Sequence, residues 1–440
     1  MNKTTKFTAV SRTAAATALL LLAFGSASAQ KAAPAAAPAA ASAPQEAARP
    51  EVAKLLTAAQ DLSKEGKHAE ALAKLKEAEA LGNLSPYESF FVQRIRAGAA
   101  LGANDVPLTI QSLNAVAAAG RLQGEDLQRV LLALADLHFR QKDYPQTIAA
   151  AQRYHAEGGK DPAVTVLMTN AMYLQGDFAG AAKALEAEVQ ADEAAGRPIT
   201  EQRLRMLASS QIKIKDEAGY GRTVERLVTR YPKPELWVDL INRVQSEPGF
   251  NDQQLRLDAY RLRMATGTMS QAGHYAEAAQ LALQAGYPAE AVKILDEGYA
   301  RGLLGTGGQA ARHNELRAQA RKVAAADAAT LAQASPQTAK NADVMATMGW
   351  ALFSAGHTDK GLAMLEQAVA KGGLKRADEA KLRLGVAQFQ AGRKDAALQT
   401  FKTVQGKDGT ADLARVWTLL AQAPSSTTAQ APAAGGTKQQ

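Results

Sequence analysis

The sequence of 440 residues contains no cysteine. This absence excludes disulfide bonds and metal sites built on thiolates. It also excludes a lipid-modified N-terminal cysteine, so a bacterial lipoprotein is not expected. Without such links the fold must draw its stability from a large buried core, and a chain of this length can form one.

Long hydrophobic runs are also scarce. The one pronounced run, residues 14–24 (AAATALLLLAF), follows Lys3, Lys6 and Arg12 and precedes an A-x-A site at residues 27–29. This order is typical of a secretory signal peptide, here residues 1–29, cleaved before Gln30. The run is shorter than the about 20 residues that span a bilayer. We therefore expect a periplasmic or secreted mature chain that does not insert into a membrane.

Neither sign of charge dominates the mature chain. The net charge of the whole sequence is +8, and removal of the three basic residues in the predicted signal peptide lowers it to +5. The basic residues are spread along the chain and form no dense patch, which argues against nucleic acid as a partner.

Two terminal segments carry few large apolar side chains that could form a core. Residues 30–50 are rich in alanine and proline and are predicted to form a semi-extended linker. Residues 423–440 are predicted to be a disordered tail. Between them, residues 51–422 carry apolar side chains at helical spacing, with no convincing alternating strand. The domain is predicted to be all-α.

A low aromatic content of 5% in a long helical chain calls for a search for repeats. Similar turns recur along the sequence, at Gly66, Asn104, Lys142, Gly176, Gly286, Gly356 and Gly392. Most turns are about 35 residues apart, or a multiple of that, which predicts an α-solenoid of helical hairpins. Clear units are expected near 51–81, 87–119, 124–158, 162–193, 270–302, 340–372 and 376–405, and degenerate units at 200–268 and 309–338. A similar turn at Gly273 is too close to Gly286 for both to form hairpins, and Gly286 is chosen.

Small residues recur at fixed places around these turns. Gly361 and its equivalents follow the turn residue by five positions, and Gly349 and Gly385 precede it by seven. We expect them to let the two helices of a hairpin approach closely. Leucine at position 361 should therefore destabilise the fold by overpacking, whereas alanine there is expected to be mild or stabilising through helix propensity.

This pattern resembles the tetratricopeptide repeat family, best at residues 384–404 (LGVAQFQAGRKDAALQTFKTV), 169–185 and 58–78. The resemblance implies a right-handed superhelix with a concave groove, lined by the first helix of each pair, that binds peptides or proteins. Positions six and three before the turn residue fall on one face of the first helix. They supply the candidate groove residues, which are Asp136, Phe139, Asn170, Tyr173, Trp350, Phe353 and Phe389. The alternative is that the aromatic rings among them pack against the neighbouring repeat.

No motif predicts catalysis, a metal site or a cofactor. The six histidines are scattered, and GTGGQA at residues 305–310 lacks the preceding strand that a dinucleotide loop requires. The stretch YESFF at residues 87–91 is similar to the Glu-Ser start of soluble lytic transglycosylases, but the sequence after it is not. We expect Glu88 to be an exposed carboxylate early in a helix.

The sequence thus favours a periplasmic scaffold that mediates protein–protein or protein–peptide interactions in the cell envelope, without intrinsic catalysis. This interpretation rests on analogy at the level of the fold. The alternative is a helical domain that binds peptidoglycan or another glycan and assists envelope enzymes. The partner and the oligomeric state do not follow from the sequence.

Overall fold

The computed structural model describes residues 46–424. Within this range the chain forms 20 α-helices, one short 3₁₀ turn and no β-strand, which confirms the all-α prediction. The predicted signal peptide, the predicted linker up to residue 45 and the predicted tail from residue 425 onward lie outside the described residues. Among residues 46–424, no helix combines the length and apolar character needed to cross a bilayer.

The described residues divide into two compact units, 46–191 and 192–424. The helices of the first unit are α1 (Pro50–Lys64), α2 (His68–Ala80), α3 (Pro86–Gly102), α4 (Val106–Ala118), α5 (Gly124–Arg140), α6 (Tyr144–Ala156), α7 (Pro162–Gln175) and most of α8 (Phe178–Ala194).

The second unit contains twelve further helices in the described range. They are α9 (Glu201–Lys213), α10 (Glu217–Arg230), α11 (Pro234–Ser246), α12 (Asp252–Ala265), α13 (Ala272–Gln284), α14 (Pro288–Ala300), α15 (Ala310–Gln333), α16 (Ala342–Ser354), α17 (Thr358–Lys371), α18 (Ala377–Gln390), α19 (Lys394–Lys402) and α20 (Thr410–Gln422). In each unit, neighbouring helices pack as successive hairpins, which is the α-solenoid architecture.

The hairpin turns follow from residues that tolerate left-handed backbone. All seven predicted turn residues have φ between 59° and 96°. In three of these seven hairpins an aspartate then caps the second helix, because its carboxylate accepts a hydrogen bond from a backbone N–H of the first turn, as Asp143 does from Gln146 at 3.3 Å. Gly286 forms a turn while Gly273 lies inside α13, which confirms the choice between them.

Close helix contact at the small residues is clearest between α16 and α17. A Cβ added to Gly361 would lie 2.5 Å from the backbone nitrogen of Phe353 and 2.7 Å from the carbonyl oxygen of Gly349. The predicted close approach is therefore confirmed. The expectation that alanine would be mild at this position is wrong, because the helices approach so closely that even a methyl group meets backbone atoms.

The two regions with degenerate sequence adopt different structures. Residues 200–268 form the four helices α9 to α12, and the turn between α9 and α10 places Lys215 at φ 59°. Residues 309–338 contain one helix of 24 residues, α15. The GTGGQA stretch before α15 follows the helix α14, ends in a 3₁₀ turn and carries no strand.

The second unit closes on itself through its last helix. Helix α20 packs against α10, α11 and α12 as well as against its sequence neighbours α18 and α19. The N–H of Asn251 donates to the carbonyl oxygen of Asp408 at 2.7 Å, and the ring of Phe250 occupies the space beside Gly409. Residues far apart in sequence thereby share one core, in which Trp417 is fully buried.

Candidate functional site: the Trp350 cleft of the second unit

Two of the predicted groove residues meet in a cleft of the second unit. Trp350 and Phe353, one helical turn apart on α16, have ring centroids 5.7 Å apart. Both rings line a cleft of about 120 Å³. Trp350 is only 2% exposed, so it forms a wall of the cleft and does not present an open aromatic platform. Whether these residues bind a partner stays a prediction.

Four helices contribute to this cleft, which we call the Trp350 cleft. Its lining residues are Arg261, Met264 and Ala265 of α12, Glu290, Lys293 and Ile294 of α14, Trp350, Phe353 and Ser354 of α16, and Gln390 of α18. Most of the walls are apolar. The exposed side chains of Lys293 and Gln390 lie at the rim.

Buried charged groups hold the walls of the cleft in place. The guanidinium of Arg261 donates to both carboxylate oxygens of Glu290 at 2.7 Å. The indole Nε1–H of Trp350 donates to the same carboxylate at 2.9 Å. The guanidinium of Arg261 also lies over the Trp350 ring, 4.3 Å from its centroid, which is a cation–π arrangement. These contacts fix the orientation of the indole ring.

The network continues away from the cleft through Asp258. Its carboxylate accepts from Arg261 at 2.5 Å and from Arg383 of α18 at 3.0 Å. Burial alone would raise the pKa of Asp258, but Arg383 and Arg261 outweigh it and lower that pKa. Asp258 therefore stays charged and joins α12 to α18, two helices that are distant in sequence.

Glu379 is the carboxylate of this network that is least well compensated. It is 4% exposed. Arg383 donates to its Oε2 atom at 3.2 Å, whereas its Oε1 atom forms only a long ion pair with Arg376, at 3.5 Å. Burial raises the pKa of Glu379 more than Arg383 and Arg376 lower it. Protonation of this carboxyl group is thus favoured by the fold.

The Trp350 cleft is suited to binding one small apolar group. A cavity of about 150 Å³ accommodates benzene, so a cleft of about 120 Å³ that is open on one side matches a single apolar side chain. Lys293 and Gln390 could contact the backbone of a peptide that carries such a side chain. Within residues 46–424, no group of three or more histidine and acidic side chains could hold a metal ion.

The third predicted residue of this unit, Phe389, does not line the cleft. It is half-buried and its ring packs edge-on against Trp417 of α20, with centroids 5.6 Å apart. The neighbouring residue Gln390 reaches the cleft instead.

The four candidates of the first unit lie on α5 and α7 and are all half-buried. Phe139 packs against Tyr144, with centroids 6.0 Å apart, and Tyr173 packs against Phe178 at 5.4 Å. Each ring thus contacts an aromatic at the start of the next helix. Asp136 pairs with Arg140 at 2.8 Å. Their role in binding, and that of Asn170, stays a prediction.

Sequence reasoning missed the charged residues beneath the Trp350 cleft. Asp258 falls between Leu255 and Leu262 at helical spacing, on the apolar face of α12. A charged residue on an apolar face signals a buried ion pair. The partners Glu290 and Arg383 could not be found in this way, because they lie far away in the sequence.

The expectation for Glu88 is wrong, since this carboxylate is 1% exposed. It completes a capping box with Ser85 at the start of α3 and accepts from the backbone and the guanidinium of Arg49 at 2.8 and 3.0 Å. The Arg49 hydrogen bond is the main cause that lowers the pKa of Glu88 to about 2. A residue with these contacts has a structural role.

Comparison with known proteins supports the repeat interpretation over part of the chain. The tetratricopeptide repeat family model matches residues 347–412, a segment that includes α16 to α19 almost completely. No curated protein matches the chain at a significant level.

Similar solved structures include several tetratricopeptide repeat proteins. The TPR2AB domain of yeast Sti1, in a complex with pHSP90, is 15% identical; the match covers 68% of this chain and 97% of that domain, with a TM-score of 0.23. The C-terminal part of a repeat protein from Cytophaga hutchinsonii is 15% identical, with coverages of 74% and 98% and a TM-score of 0.25. Yeast Tom70 is 11% identical, with coverages of 84% and 95% and a TM-score of 0.23.

TM-scores this low do not establish a common overall arrangement. The family match is more specific, because it falls on the hairpins in which the turn glycines Gly356 and Gly392 and the close contact at Gly361 are found. The helical hairpins of residues 347–412 are therefore similar to tetratricopeptide repeats.

Proposed function

We propose that this chain is a non-catalytic scaffold that binds a segment of a partner protein, and that the Trp350 cleft takes one apolar side chain of that segment. Solenoids of helical repeats commonly bind partners on extended surfaces. The observation that carries the proposal is a cleft with fixed aromatic walls, a polar rim and a volume that matches one side chain. Anchors of this kind contribute much of the energy of an interface.

A preformed cleft also keeps the entropic cost of binding low. Trp350 is held by Glu290 and Arg261 before any ligand arrives, so fewer side chains need to be ordered on association. The burial of Trp350 argues against the glycan alternative, since a sugar ring would stack on an exposed aromatic face.

We place this scaffold in the periplasm and associate it with the cell envelope. The support is the sequence of residues 1–29, with its basic start, apolar run and A-x-A site. Sequencing the N-terminus of the exported protein is expected to give Gln30 as the first residue. A mature protein that begins at Met1 would contradict the assignment.

Site-specific photo-crosslinking tests the binding role of the cleft. A photoreactive amino acid at Gln390, on the exposed rim, is expected to capture a partner protein in cells. Ala265→Trp should abolish this product, because Ala265 is exposed and lines the cleft, so the indole would fill its mouth.

The matched control is Ala285→Trp. Ala285 is another exposed alanine; it follows the last residue of α13 and does not line the cleft. This control should retain the crosslinked product. If Ala265→Trp folds normally by circular dichroism and still yields the same product, the cleft is not the binding site.

A further inference from the structure

Two arginines of α12, Arg261 and Arg263, are both buried but have different partners. Arg261 is paired with two buried carboxylates. Arg263 is 9% exposed, and its Nη2 atom donates to the amide oxygens of Asn242 at 2.6 Å and Gln245 at 2.8 Å, both on α11. Within residues 46–424, no carboxylate forms an ion pair with Arg263.

The positive charge of Arg263 is therefore poorly compensated. Buried arginines are normally paired with an anion, whereas an amide carries no net charge, and burial lowers the pKa of Arg263. Burial is also the main cause that lowers the pKa of His274 at the start of α13, and Arg263 is the next cause, ahead of the opposite effect of Glu277. Glu277 itself is held by Arg256 and Tyr260, at 2.8 Å in each case. Arg263 and His274 thus share an electropositive environment.

Two of the three nitrogen atoms of the Arg263 guanidinium remain available to a ligand. Nη1 and Nε have no hydrogen-bond partner among the described residues, and neither is fully enclosed by protein. The Nδ1 atom of His274 is enclosed and lacks a partner, so Nε2 is the nitrogen of this ring that can reach a ligand. Arg263 does not line the Trp350 cleft, and these donors belong to a separate surface of the second unit.

We propose that Arg263 and His274 bind a tetrahedral oxyanion, namely a phosphate or sulfate group of a small soluble molecule. A planar carboxylate is best held by two parallel N–H groups, as Glu290 is held by Nε and Nη2 of Arg261. Every such pair of a guanidinium group includes Nη2, and the two amides of α11 occupy Nη2 of Arg263. Single donors that point in different directions remain, and the oxygen atoms of a tetrahedral anion can accept from them.

The surroundings of Arg263 favour a small ligand over a membrane surface. Only one edge of the guanidinium is accessible, because the rest of the side chain is buried. The exposed residues of the flanking segments, Asn242 and Ser246 of α11 and Gln271 and Gly273 at the start of α13, are polar or small. They offer no apolar side chain that could enter a bilayer. The inference concerns a different site from the Trp350 cleft and does not depend on its binding role.

Titration of the exported protein with inorganic phosphate tests the proposal, with chloride used to keep the ionic strength constant. Binding is followed by the Nε–H resonance of Arg263 in protein labelled with ¹⁵N-arginine, and Arg263→Gln assigns this signal. We expect the signal to shift as the site fills, with acetate binding at least about tenfold more weakly than phosphate. Asn242→Asp should weaken phosphate binding at least about tenfold, because its carboxylate would pair with Nη2 and neutralise the guanidinium.

The matched control is Asn314→Asp, which introduces the same charge at an exposed position of α15. Its affinity for phosphate should stay within about twofold of the parent, since a distant exposed charge is screened. If Asn242→Asp folds like the parent by circular dichroism and binds phosphate equally well, the proposal is wrong. An equal loss in Asn314→Asp would overturn it too, because net charge alone would then explain binding.

Two further probes test the class of ligand. Acetate that binds as tightly as phosphate would contradict a tetrahedral oxyanion. Vesicles of phosphatidylglycerol test the membrane as the source of the phosphate group. Sedimentation with these vesicles that is lost in Arg263→Gln, without any shift of the Arg263 signal by free phosphate, would overturn the assignment to a small soluble molecule.

Discussion

The two units of this chain are built from the same kind of hairpin but differ in how far apart in the sequence the helices that pack together lie. In the first unit, helices α1 to α7 pack against near neighbours in the sequence. In the second unit, α20 packs back onto α10, α11 and α12, and Arg383 reaches Asp258 across 125 residues. Local sequence thus determines the hairpin, whereas long-range contacts determine which hairpins of the second unit pack together.

The ion pairs of the two units differ in how deeply they are buried. Asp136 and Arg140 in the first unit are one helical turn apart, with side chains 33% and 56% exposed. Asp258 and Arg261 in the second unit have side chains only 2% and 3% exposed. An exposed pair contributes little to stability, while removing one partner of a buried pair leaves an uncompensated charge. The substitutions below are ordered by the size of the effect that follows from this difference.

The largest expected effect is that of Asp258→Ala. This variant leaves Arg261 and Arg383 without a shared carboxylate in a buried site, which should lower the free energy of unfolding by about 3–5 kcal/mol. Asp136→Ala is the control from the first unit and should cost less than about 1 kcal/mol.

Urea unfolding is followed by circular dichroism, which reports on the helices of both units, and by tryptophan fluorescence. The fluorescence reports on the second unit alone, because all three tryptophans, Trp237, Trp350 and Trp417, lie there. Equal losses for the two variants would show that the Asp258 network does not hold the second unit together.

The second effect concerns the closure of the second unit at Gly409. This residue has φ 96°, and a Cβ added to it would lie 2.4 Å from the ring of Phe250. Gly409→Ala combines about 1–2 kcal/mol of left-handed strain with about 1–3 kcal/mol of overpacking, so a total loss of about 2–5 kcal/mol is expected.

Gly356→Ala is the matched control for this substitution. Gly356 has the same φ of 96° but no atom within 4 Å of the added Cβ, so only the strain of about 1–2 kcal/mol should appear. Hydrogen exchange should also rise in α20 of the Gly409 variant alone. Identical melting temperatures for the two variants would mean that the contact with Phe250 does not contribute to closure.

What could be predicted from the sequence was the local structure. The turn residues, the small residues beside them and the helices follow from spacing and backbone preference, and the structure confirms them at Gly286 and Gly361. The burial of Glu88 and Trp350 could not be predicted, because it depends on Arg49 and on Glu290. The partner Glu290 lies 60 residues from Trp350, and no periodic pattern relates two such positions.

The third effect tests the close helix contact at Gly361. Gly361→Ala should destabilise the protein by about 1–3 kcal/mol, since the added methyl group meets backbone atoms of Phe353 and Gly349 that cannot move independently. Gly273→Ala is the control, because Gly273 lies inside α13 with no atom within 4 Å of the added Cβ. It should stabilise the protein by up to about 1 kcal/mol through helix propensity. Opposite signs in thermal unfolding are the expected result, and a gain in stability from Gly361→Ala would contradict the packing described here.

The smallest effect is a difference in how stability depends on pH, which compares Glu88 of the first unit with Glu379 of the second. The pKa of Glu88 in the first unit is lowered from 4.5 to about 2, mainly by the hydrogen bond from Arg49. Its contribution to stability is therefore fully present above pH 4.5 and is lost as the pH falls from 4.5 towards 2. Glu88→Gln should be less stable than the parent at pH 7, and this difference in the free energy of unfolding should narrow below pH 4.5.

The pKa of Glu379 in the second unit is raised from 4.5, chiefly by burial. Ionisation of Glu379 therefore destabilises the folded state as the pH rises from 4.5 through the raised pKa, so Glu379→Gln should gain stability over the parent at pH 7 and lose that gain in acid. Urea unfolding of the parent and both variants between pH 3 and pH 7 measures the two differences. Relative to the parent, Glu88→Gln should become more stable and Glu379→Gln less stable as the pH falls. Relative stabilities of the two variants that change in the same direction with pH would contradict the assigned environments of these carboxyl groups.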